Sequence, residues 1–176
     1  MFYDTLTHPT LNGMWTQNRK GQTFDQLYKY AVANDIKGCC AVGLPNVGDY
    51  EHKKYYAEAM KFSGFFYPVA AITKQKISSI IKEIDVITNY GFKEIKIHPR
   101  FLKVNLNAND LSKIFKKCVE NNIVVFYCSY YHCNLSNIST SDPYWNLIHA
   151  LKDANDVKIV LLHGGGIELL KYCELA

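Results

Sequence analysis

The sequence feature that most constrains the fold is a set of six short, apolar, β-branched runs with helical segments between them. Their centres lie about 28 to 35 residues apart, which is the length of one strand–loop–helix unit. Strands that alternate with helices at this spacing predict a parallel sheet with right-handed crossover connections. The predicted strands are residues 2–6, 38–42, 65–71, 94–97, 123–128 and 158–162.

Helix boundary signals lie between these runs. Thr23 and Gln26 match the pattern of a capping box, in which two side chains satisfy the first backbone N–H groups of a helix. Gly64 and Gly91 are predicted to end two helices, and Gly165 or its neighbour to open the last one. The predicted N-caps are Thr23, Asp49, Asn109 and Asp142.

The chain shows no linker, low-complexity segment or shift in composition, so residues 1–176 are predicted to form a single domain. The predicted fold class is α/β, built from six consecutive βα units. Six units fit either an open, doubly wound sheet or three quarters of a (β/α)8 barrel, which usually takes roughly 250 residues. The spacing of the strands does not distinguish these two architectures.

Charge and cysteine content argue against several function classes. The net charge is +4, from 20 Lys and Arg against 16 Asp and Glu, and the lysines are dispersed, which argues against a nucleic-acid-binding surface. No apolar stretch approaches the ~18 residues of a membrane helix. Six cysteines without a CxxC pair, and a start unlike a signal peptide, predict reduced thiols and a cytoplasmic protein.

Polar side chains cluster where the predicted strands end, which is where parallel α/β folds bind ligands. The first strand is followed by His8, the fourth leads into Lys96 and His98, and the sixth is followed by His163. Because side chains alternate along a strand, Lys96 and His98 are expected to share a face, as are Leu161 and His163. The three histidines are predicted to converge on one pocket, although a single histidine at a strand end is more often structural.

Three segments of the sequence resemble a known enzyme family. Residues 3–9 read YDTLTHP, residues 91–99 read GFKEIKIHP and residues 157–166 read VKIVLLHGGG. The last two are similar to the fourth-strand and sixth-strand signatures of the amidohydrolase-related metal-dependent hydrolases and decarboxylases, the branch that includes aminocarboxymuconate-semialdehyde decarboxylase. The resemblance implies a TIM-like barrel, with about six of eight βα units present, and a divalent metal, usually zinc, that activates water.

The resemblance also implies roles for individual residues. His8 and His163 correspond to metal-binding positions, and His163 also to a catalytic base. Lys96 is expected to stabilise an anionic intermediate or bind a carboxylate, and Tyr127 to donate a hydrogen bond or proton. The residues expected to bind substrate are His98, Arg19 and Arg100.

Three departures from the family pattern leave two functions open. Leu6 replaces a first-strand histidine, Tyr127 replaces a metal-binding histidine, and the sequence stops at Ala176, before the strand that supplies an aspartate. One hypothesis is a hydrolase or decarboxylase for a small carboxylate, lactone, ester or amide, with an altered site. The other is an inactive family member that binds a small molecule or a protein. An open nucleotide-binding sheet ranks last, because no glycine-rich loop follows the first strand.

A barrel short of two units exposes the edges of its first and last strands. Exposed strand edges offer unpaired backbone groups to other chains. We therefore expect the chain to self-associate or to pair with a polypeptide that completes the barrel wall.

Overall fold

A parallel sheet with helices on one face organises the chain. The computed structural model describes residues 2–104, 106–129 and 143–163, without the side chains of Arg100 and Pro143. In chain order the elements are β1 (Phe2–Thr7), β2 (Met14–Thr16), β3 (Arg19–Lys20), α1 (Phe24–Ala33), β4 (Ile36–Val42), α2 (His52–Met60), β5 (Phe66–Ala71), α3 (Ile77–Asn89), β6 (Glu94–Ile97), α4 (Pro99–Leu102), α5 (Ala108–Glu120), β7 (Val124–Cys128), α6 (Pro143–Asp153) and β8 (Ile159–Leu162).

The main sheet has the strand order β1-β4-β5-β6-β7-β8, and every neighbouring pair is parallel. It curls into part of a barrel. The six predicted strands are confirmed, with boundaries that agree within two residues. Because successive strands are neighbours in space, each connecting segment returns along the sheet as one right-handed βα unit. The C-terminal ends of all six strands therefore meet at one rim.

The two faces of the sheet carry different side chains. The outer face packs against the helices and contributes to one large core, in which Ile95, Val125 and Ile84 of α3 are fully buried. The opposite face, here called the inner face, lines the interior of the partial barrel with a smaller apolar cluster. The inner-face cluster consists of Leu6, Cys40, Val42, Val69, Val124, Phe126 and Leu162.

Capping side chains fix where the helices begin. The capping box of α1 is confirmed, because the Thr23 hydroxyl accepts a hydrogen bond from the Gln26 backbone N–H and the Gln26 side chain accepts one from Thr23. Gly64 and Gly91 lie beyond the ends of α2 and α3 with positive φ angles of 77° and 100°, as predicted for helix stops. The longest helices in the described part of the chain have 13 residues, and none there is long and apolar enough to cross a bilayer.

Two predicted caps are wrong by two residues. Helix α2 is capped by Glu51 rather than Asp49, because Asp49 has a left-handed φ of 58° and its carboxylate accepts a hydrogen bond from the Asn12 side chain. Helix α5 is capped by Asn107, whose side-chain oxygen accepts the Asp110 N–H at 2.9 Å, rather than by Asn109. The predicted cap Asp142 and the helix expected from Gly165 lie outside the described residues.

A short hairpin between β1 and α1 was not predicted from the sequence. Strands β2 and β3 pair antiparallel through a two-residue connection, and a backbone hydrogen bond from Gly21 to Gly13 closes their base. The strands are only three and two residues long, so no alternating pattern marks them. The hairpin places Trp15 beside the rim of the sheet, where the candidate site lies.

We expect Ile84→Ala to lower the free energy of unfolding by about 2 to 5 kcal/mol, because Ile84 is fully buried between α3 and the sheet and its removal leaves a cavity. Val86→Ala is the matched control on the same helix, since Val86 is 44% exposed, and we expect it to change stability by less than about 0.5 kcal/mol. Chemical denaturation of the two variants compares these values. Equal effects would show that α3 does not pack on the sheet as described.

Candidate functional site

His8 occupies the rim directly after β1. Its Nδ1 lies 2.6 Å from the backbone oxygen of Val42, at the end of the neighbouring strand β4. A carbonyl oxygen can only accept, so Nδ1 must carry the proton and Nε2 must carry the lone pair. The Trp15 ring packs edge-on against the imidazole, with centroids 5.8 Å apart. His8 is thus held in one tautomer, with Nε2 as its basic atom.

The surroundings keep His8 neutral. Burial lowers the pKa of His8, and the positive charge of Lys96 lowers it further, to about 4. The hydrogen bond to Val42 acts in the opposite direction but does not outweigh these effects. At neutral pH the imidazole is therefore a base that can accept a proton, rather than a cation.

Three other side chains act electrostatically on His8. Lys96 and His163 lower its pKa, and Asp4 raises it. These four residues come from β1, β6 and the end of β8, and we call them the His8 cluster. Lys96 is only 3% exposed and lies between Ala71 of β5 and Phe126 of β7 in the sheet register. The cluster thus combines a neutral base with a buried amine on the inner side of the rim.

A second pair lies beside Lys96 at the ends of β6 and β7. The Cys128 sulfur is 3.6 Å from Nε2 of His98, and both side chains are buried. The His98 ring also packs against Phe101 of α4, with centroids 4.5 Å apart. Sequence reasoning expected His98 in the pocket but missed Cys128. Alternation with Phe126 was the signal that could have identified it, because both lie on the same face of β7.

Tyr127 was expected to act in the pocket, but the structure turns its ring toward the opposite face of β7. Its ring is 2% exposed and belongs to the outer-face core, where it meets Phe115 of α5 edge-on at 6.5 Å. Phe126 belongs to the inner-face cluster, so alternation turns Tyr127 the other way. Two adjacent aromatic residues made the orientation of β7 ambiguous in the sequence.

The orientation of His163 differs from the prediction that strand alternation gave. Leu161, which was expected to share its face, packs against the outer-face core. The backbone then takes a left-handed φ of 66° at His163, which ends the strand alternation. The His163 side chain is exposed, and its charge acts on His8. Strand alternation therefore does not determine which way the His163 side chain points.

The two arginines expected to bind substrate differ in position. Arg19 is exposed on β3 and pairs in register with Thr16 of the hairpin strand that also carries Trp15. It lies on the hairpin beside His8, rather than inside the barrel. Arg100 lies in α4, immediately beyond the end of β6, and its side chain is outside the described part of the structure.

A buried polar network that sequence reasoning missed fixes the rim next to β5. The Tyr50 hydroxyl accepts a hydrogen bond from the Ala71 N–H and donates to Nδ1 of His52, whose Nε2–H donates to Glu83 at 3.0 Å. Glu83 also accepts hydrogen bonds from the backbone N–H groups of Thr73 and residue 74. The sequence gives no local signal for this network, because Glu83 on α3 lies 31 residues from His52 along the chain. A cavity of about 510 Å³ borders this network.

The network also determines the charge of Glu83. Burial acts to raise the pKa of this carboxyl, but hydrogen bonds from His52, Thr73 and Lys74 outweigh burial and lower the pKa below its ordinary value. Glu83 is therefore ionised at neutral pH. Its carboxylate acts as a clamp that holds the loop after β5 against α3.

The described side chains supply only part of a metal centre. His8 has the arrangement of a typical metal ligand, because one nitrogen is anchored to a carbonyl and the other carries a lone pair. However, no group of three or more His, Cys, Asp or Glu side chains within residues 2–104, 106–129 and 143–163 is arranged to hold a metal ion. The cationic Lys96 acts on the same imidazole and would oppose a bound cation. These residues alone do not fit a complete zinc site.

Comparison with known proteins identifies the fold but not the family. An uncharacterized TIM-barrel protein from Bordetella bronchiseptica aligns with a TM-score of 0.71 and 18% identity, over 88% of this chain and 56% of that one. IDCase from Metarhizium anisopliae in apo form aligns with a TM-score of 0.60 and 13% identity, over 85% of this chain and 50% of that one. No family model and no curated protein matches the sequence.

These comparisons settle the architecture that the strand spacing left open. The chain is a partial TIM barrel, and the open, doubly wound sheet is excluded. It spans about half the length of the two solved structures that it resembles. The amidohydrolase-related family stays a prediction, because identities of 13% and 18% show a shared fold alone.

We expect the His8 imidazole to titrate near pH 4 and to be neutral throughout the range from pH 6 to 8, as measured by NMR. Lys96→Met should raise the pKa of His8 by removing a positive charge, but it should stay below 6.5, because burial is the larger cause. Lys93→Met, at an exposed site on the approach to the same strand, should leave it unchanged. Titration of His8 near pH 6.5 in the unaltered protein would contradict the described burial.

The same shift has a defined effect on stability. Because the folded-state pKa lies below the unfolded value of 6.5, His8 contributes fully to stability above pH 6.5. That contribution is lost as the pH falls through about 4. We therefore expect the free energy of unfolding to decrease when the protein is acidified to about pH 4.

Proposed function

We propose that the rim of this partial barrel is the active site of an amidohydrolase-related hydrolase or decarboxylase, acting on a small carboxylate, lactone, ester or amide. The observation that carries the proposal is His8, a neutral imidazole whose tautomer is fixed by Val42 and on which the charge of the buried Lys96 acts. A neutral base beside a cation can take a proton while the developing negative charge is stabilised. The resemblance of residues 91–99 and 157–166 to the family signatures supports the same class.

The proposed chemistry assigns one task to each member of the site. His8 accepts a proton at Nε2 from water or from the substrate. Lys96 binds the substrate carboxylate or stabilises the anion formed during the reaction. Leu6 and Phe126, which belong to the inner-face cluster, shield these groups from bulk water and so strengthen their interactions.

The role of zinc is a separate part of the proposal. If zinc binds, His8 and His163 are the ligands that the resemblance implies, and the metal would supply a polarising positive charge. The described donor set is incomplete, so the proton transfers above are assigned to protein side chains alone. Metal analysis of the purified protein tests this: stoichiometric zinc or manganese would show that further ligands complete the site.

A binding protein without turnover is the second candidate. Leu6 belongs to the apolar inner-face cluster at the position where the family pattern has a histidine, and Tyr127 turns into the outer-face core. Leu6 cannot bind a metal ion, and the Tyr127 ring faces away from the rim. On this alternative the inner face binds a small molecule or a protein, and no product forms.

We expect His8→Ala to reduce kcat by about 10² to 10⁴ on the substrate that a panel of small carboxylates, lactones, esters and amides identifies, because the variant lacks the general base. His149→Ala is the matched control, since His149 is exposed on α6 and contacts Trp145 rather than the His8 cluster. Steady-state kinetics measure both. Saturable binding with no turnover across the panel would instead support the binding protein.

We also propose that another polypeptide covers the edges of the sheet, either a second copy of this chain or a partner that completes the barrel wall. Strands β1 and β8 are the two ends of the sheet order. Phe2 and Tyr3 on β1 are 70% and 56% exposed, and Val160 on β8 is 39% exposed. Apolar side chains on a strand edge favour association.

We expect light scattering at micromolar concentration to show a dimer or larger species of this chain, and Phe2→Lys with Tyr3→Lys to shift it toward the monomer, because charged residues protect strand edges. Tyr30→Lys, at a similarly exposed site on α1, serves as the control. A monomer that also captures no completing polypeptide in its source extract would contradict the proposal.

A further inference from the structure

The cavity of about 510 Å³ beside Glu83 is a second candidate site, on the helix side of the sheet. It is lined by the start of α2, the loop after β5 and one face of α3. Its volume is in the range of small-molecule sites, which is roughly 300 to 1,000 Å³. The described residues that line it include no member of the His8 cluster, so the cavity is separate from the rim site.

The floor of the cavity is a polar network whose hydrogen bonds are made within the protein. Tyr50 donates to His52, and His52 donates to Glu83. Both oxygens of the Glu83 carboxylate also accept backbone N–H groups from Thr73 and Lys74. This floor is therefore a fixed surface, and the groups that can bind a ligand are the other side chains of the lining.

Those other polar side chains are mostly donors. Four donors on the lining have no hydrogen-bond or ion-pair partner within the part of the chain that the structure describes: Lys74, Ser79, Lys82 and Tyr90. Glu51 also lines the cavity, but one of its oxygens already accepts a backbone N–H at the start of α2. Ammonium and hydroxyl donors without acceptors favour a ligand that carries a negative charge.

Helix α3 arranges these groups along the length of the cavity. Ser79, Lys82, Val86 and Tyr90 follow one another at helical spacing, so they share one face of the helix. From the first to the last of them the helix rises about 16 Å. The charged donor therefore lies toward the start of α3, where the helix dipole is positive, and the apolar side chains lie toward its end.

We propose that this cavity binds a small organic monoanion, in which a carboxylate is attached to an apolar body. The carboxylate accepts hydrogen bonds from Ser79, Lys82 and Lys74 at one end of the cavity. The apolar body packs at the other end against Val86, which is 44% exposed, and against the half-buried Tyr90 ring. The inference does not rest on the proposed function, because no residue of the rim takes part.

The charges on the lining favour a carboxylate over a phosphate. Hydrogen bonds from His52 and from the loop after β5 compensate part of the negative charge of Glu83. One negative charge on the ligand is then attracted by the two lysines, whereas a second charge would be repelled by the exposed Glu51.

An NMR titration of the intact, ¹⁵N-labelled protein tests this inference. The probes are 3-phenylpropionate, benzoate and hexanoate, and the comparison compounds are 3-phenylpropan-1-ol, which lacks the charge, and inorganic phosphate, which lacks the apolar body. We expect at least one carboxylate to shift the backbone amides of Lys74, Ser79 and Lys82 saturably, and to bind about tenfold more tightly than either comparison compound. The inference fails if no carboxylate saturates these shifts by about 10 mM, or if the alcohol or phosphate binds equally well.

Variants test whether the two lysines hold the carboxylate. Lys74→Met combined with Lys82→Met should weaken binding of the carboxylate probe about tenfold, because both charge-assisted hydrogen bonds are lost. Both side chains are exposed, so we expect the fold to be retained. Lys113→Met, at an exposed site on α5, is the matched control and should leave the affinity unchanged. Unchanged affinity in the double variant would overturn the inference, and the titration of the unaltered protein decides if that variant does not fold.

The positions of the shifted amides separate this inference from the proposed function. The rim is also proposed to bind carboxylates, and binding there would shift the amides of His8 and its neighbours in β1. Shifts confined to the rim would overturn the second site and support the proposed function. Saturable shifts at Lys74, Ser79 and Lys82 would support the second site even in a protein that turns over no substrate.

Discussion

The structure depends on one constraint, the common parallel register of six strands whose two faces both carry apolar side chains. Each strand must be apolar toward the helices, where Ile95 and Val125 lie, and apolar again toward the interior, where Val69 and Phe126 lie. Apolar side chains therefore dominate the body of the sheet, and His8, His98 and His163 lie at the strand ends. Among the charged side chains described on the strands, Lys96 is the buried one, and it interrupts the apolar inner face within β6.

The register of the sheet also explains how His8 is oriented in the candidate site and why its pKa is low. His8 is anchored by the carbonyl of Val42, the last residue of the neighbouring strand, so the imidazole is oriented by the sheet and not by a loop. Its low pKa results from that burial and from a charge on β6, three strands away in the sheet order. Lys96 acts electrostatically on His8 because the curvature of the sheet turns both side chains toward the same interior.

Most of the fold could be predicted from the sequence, because it follows from local patterns. The β-branched runs gave all six strands of the main sheet, and Thr23 with Gln26 gave the start of α1. The site was harder to predict, because its geometry depends on side-chain orientations, a backbone angle and long-range contacts that leave no local pattern in the sequence. The orientation of Tyr127 required choosing between two adjacent aromatic residues, and the placement of His163 depends on a left-handed backbone angle. His52 and Glu83 lie 31 residues apart and meet only through the packing of α2 and α3.

The Glu83 clamp has a consequence for how this barrel can diversify. Barrel enzymes commonly change specificity by altering the loops that follow their strands. Here the loop after β5 is tied by its own backbone amides at Thr73 and Lys74 to a carboxylate on the next helix, so inserted residues would leave a buried anion without its donors. Natural variation and loop grafting should therefore avoid this connection and concentrate on segments such as the β2–β3 hairpin, whose short strands lie outside the main sheet.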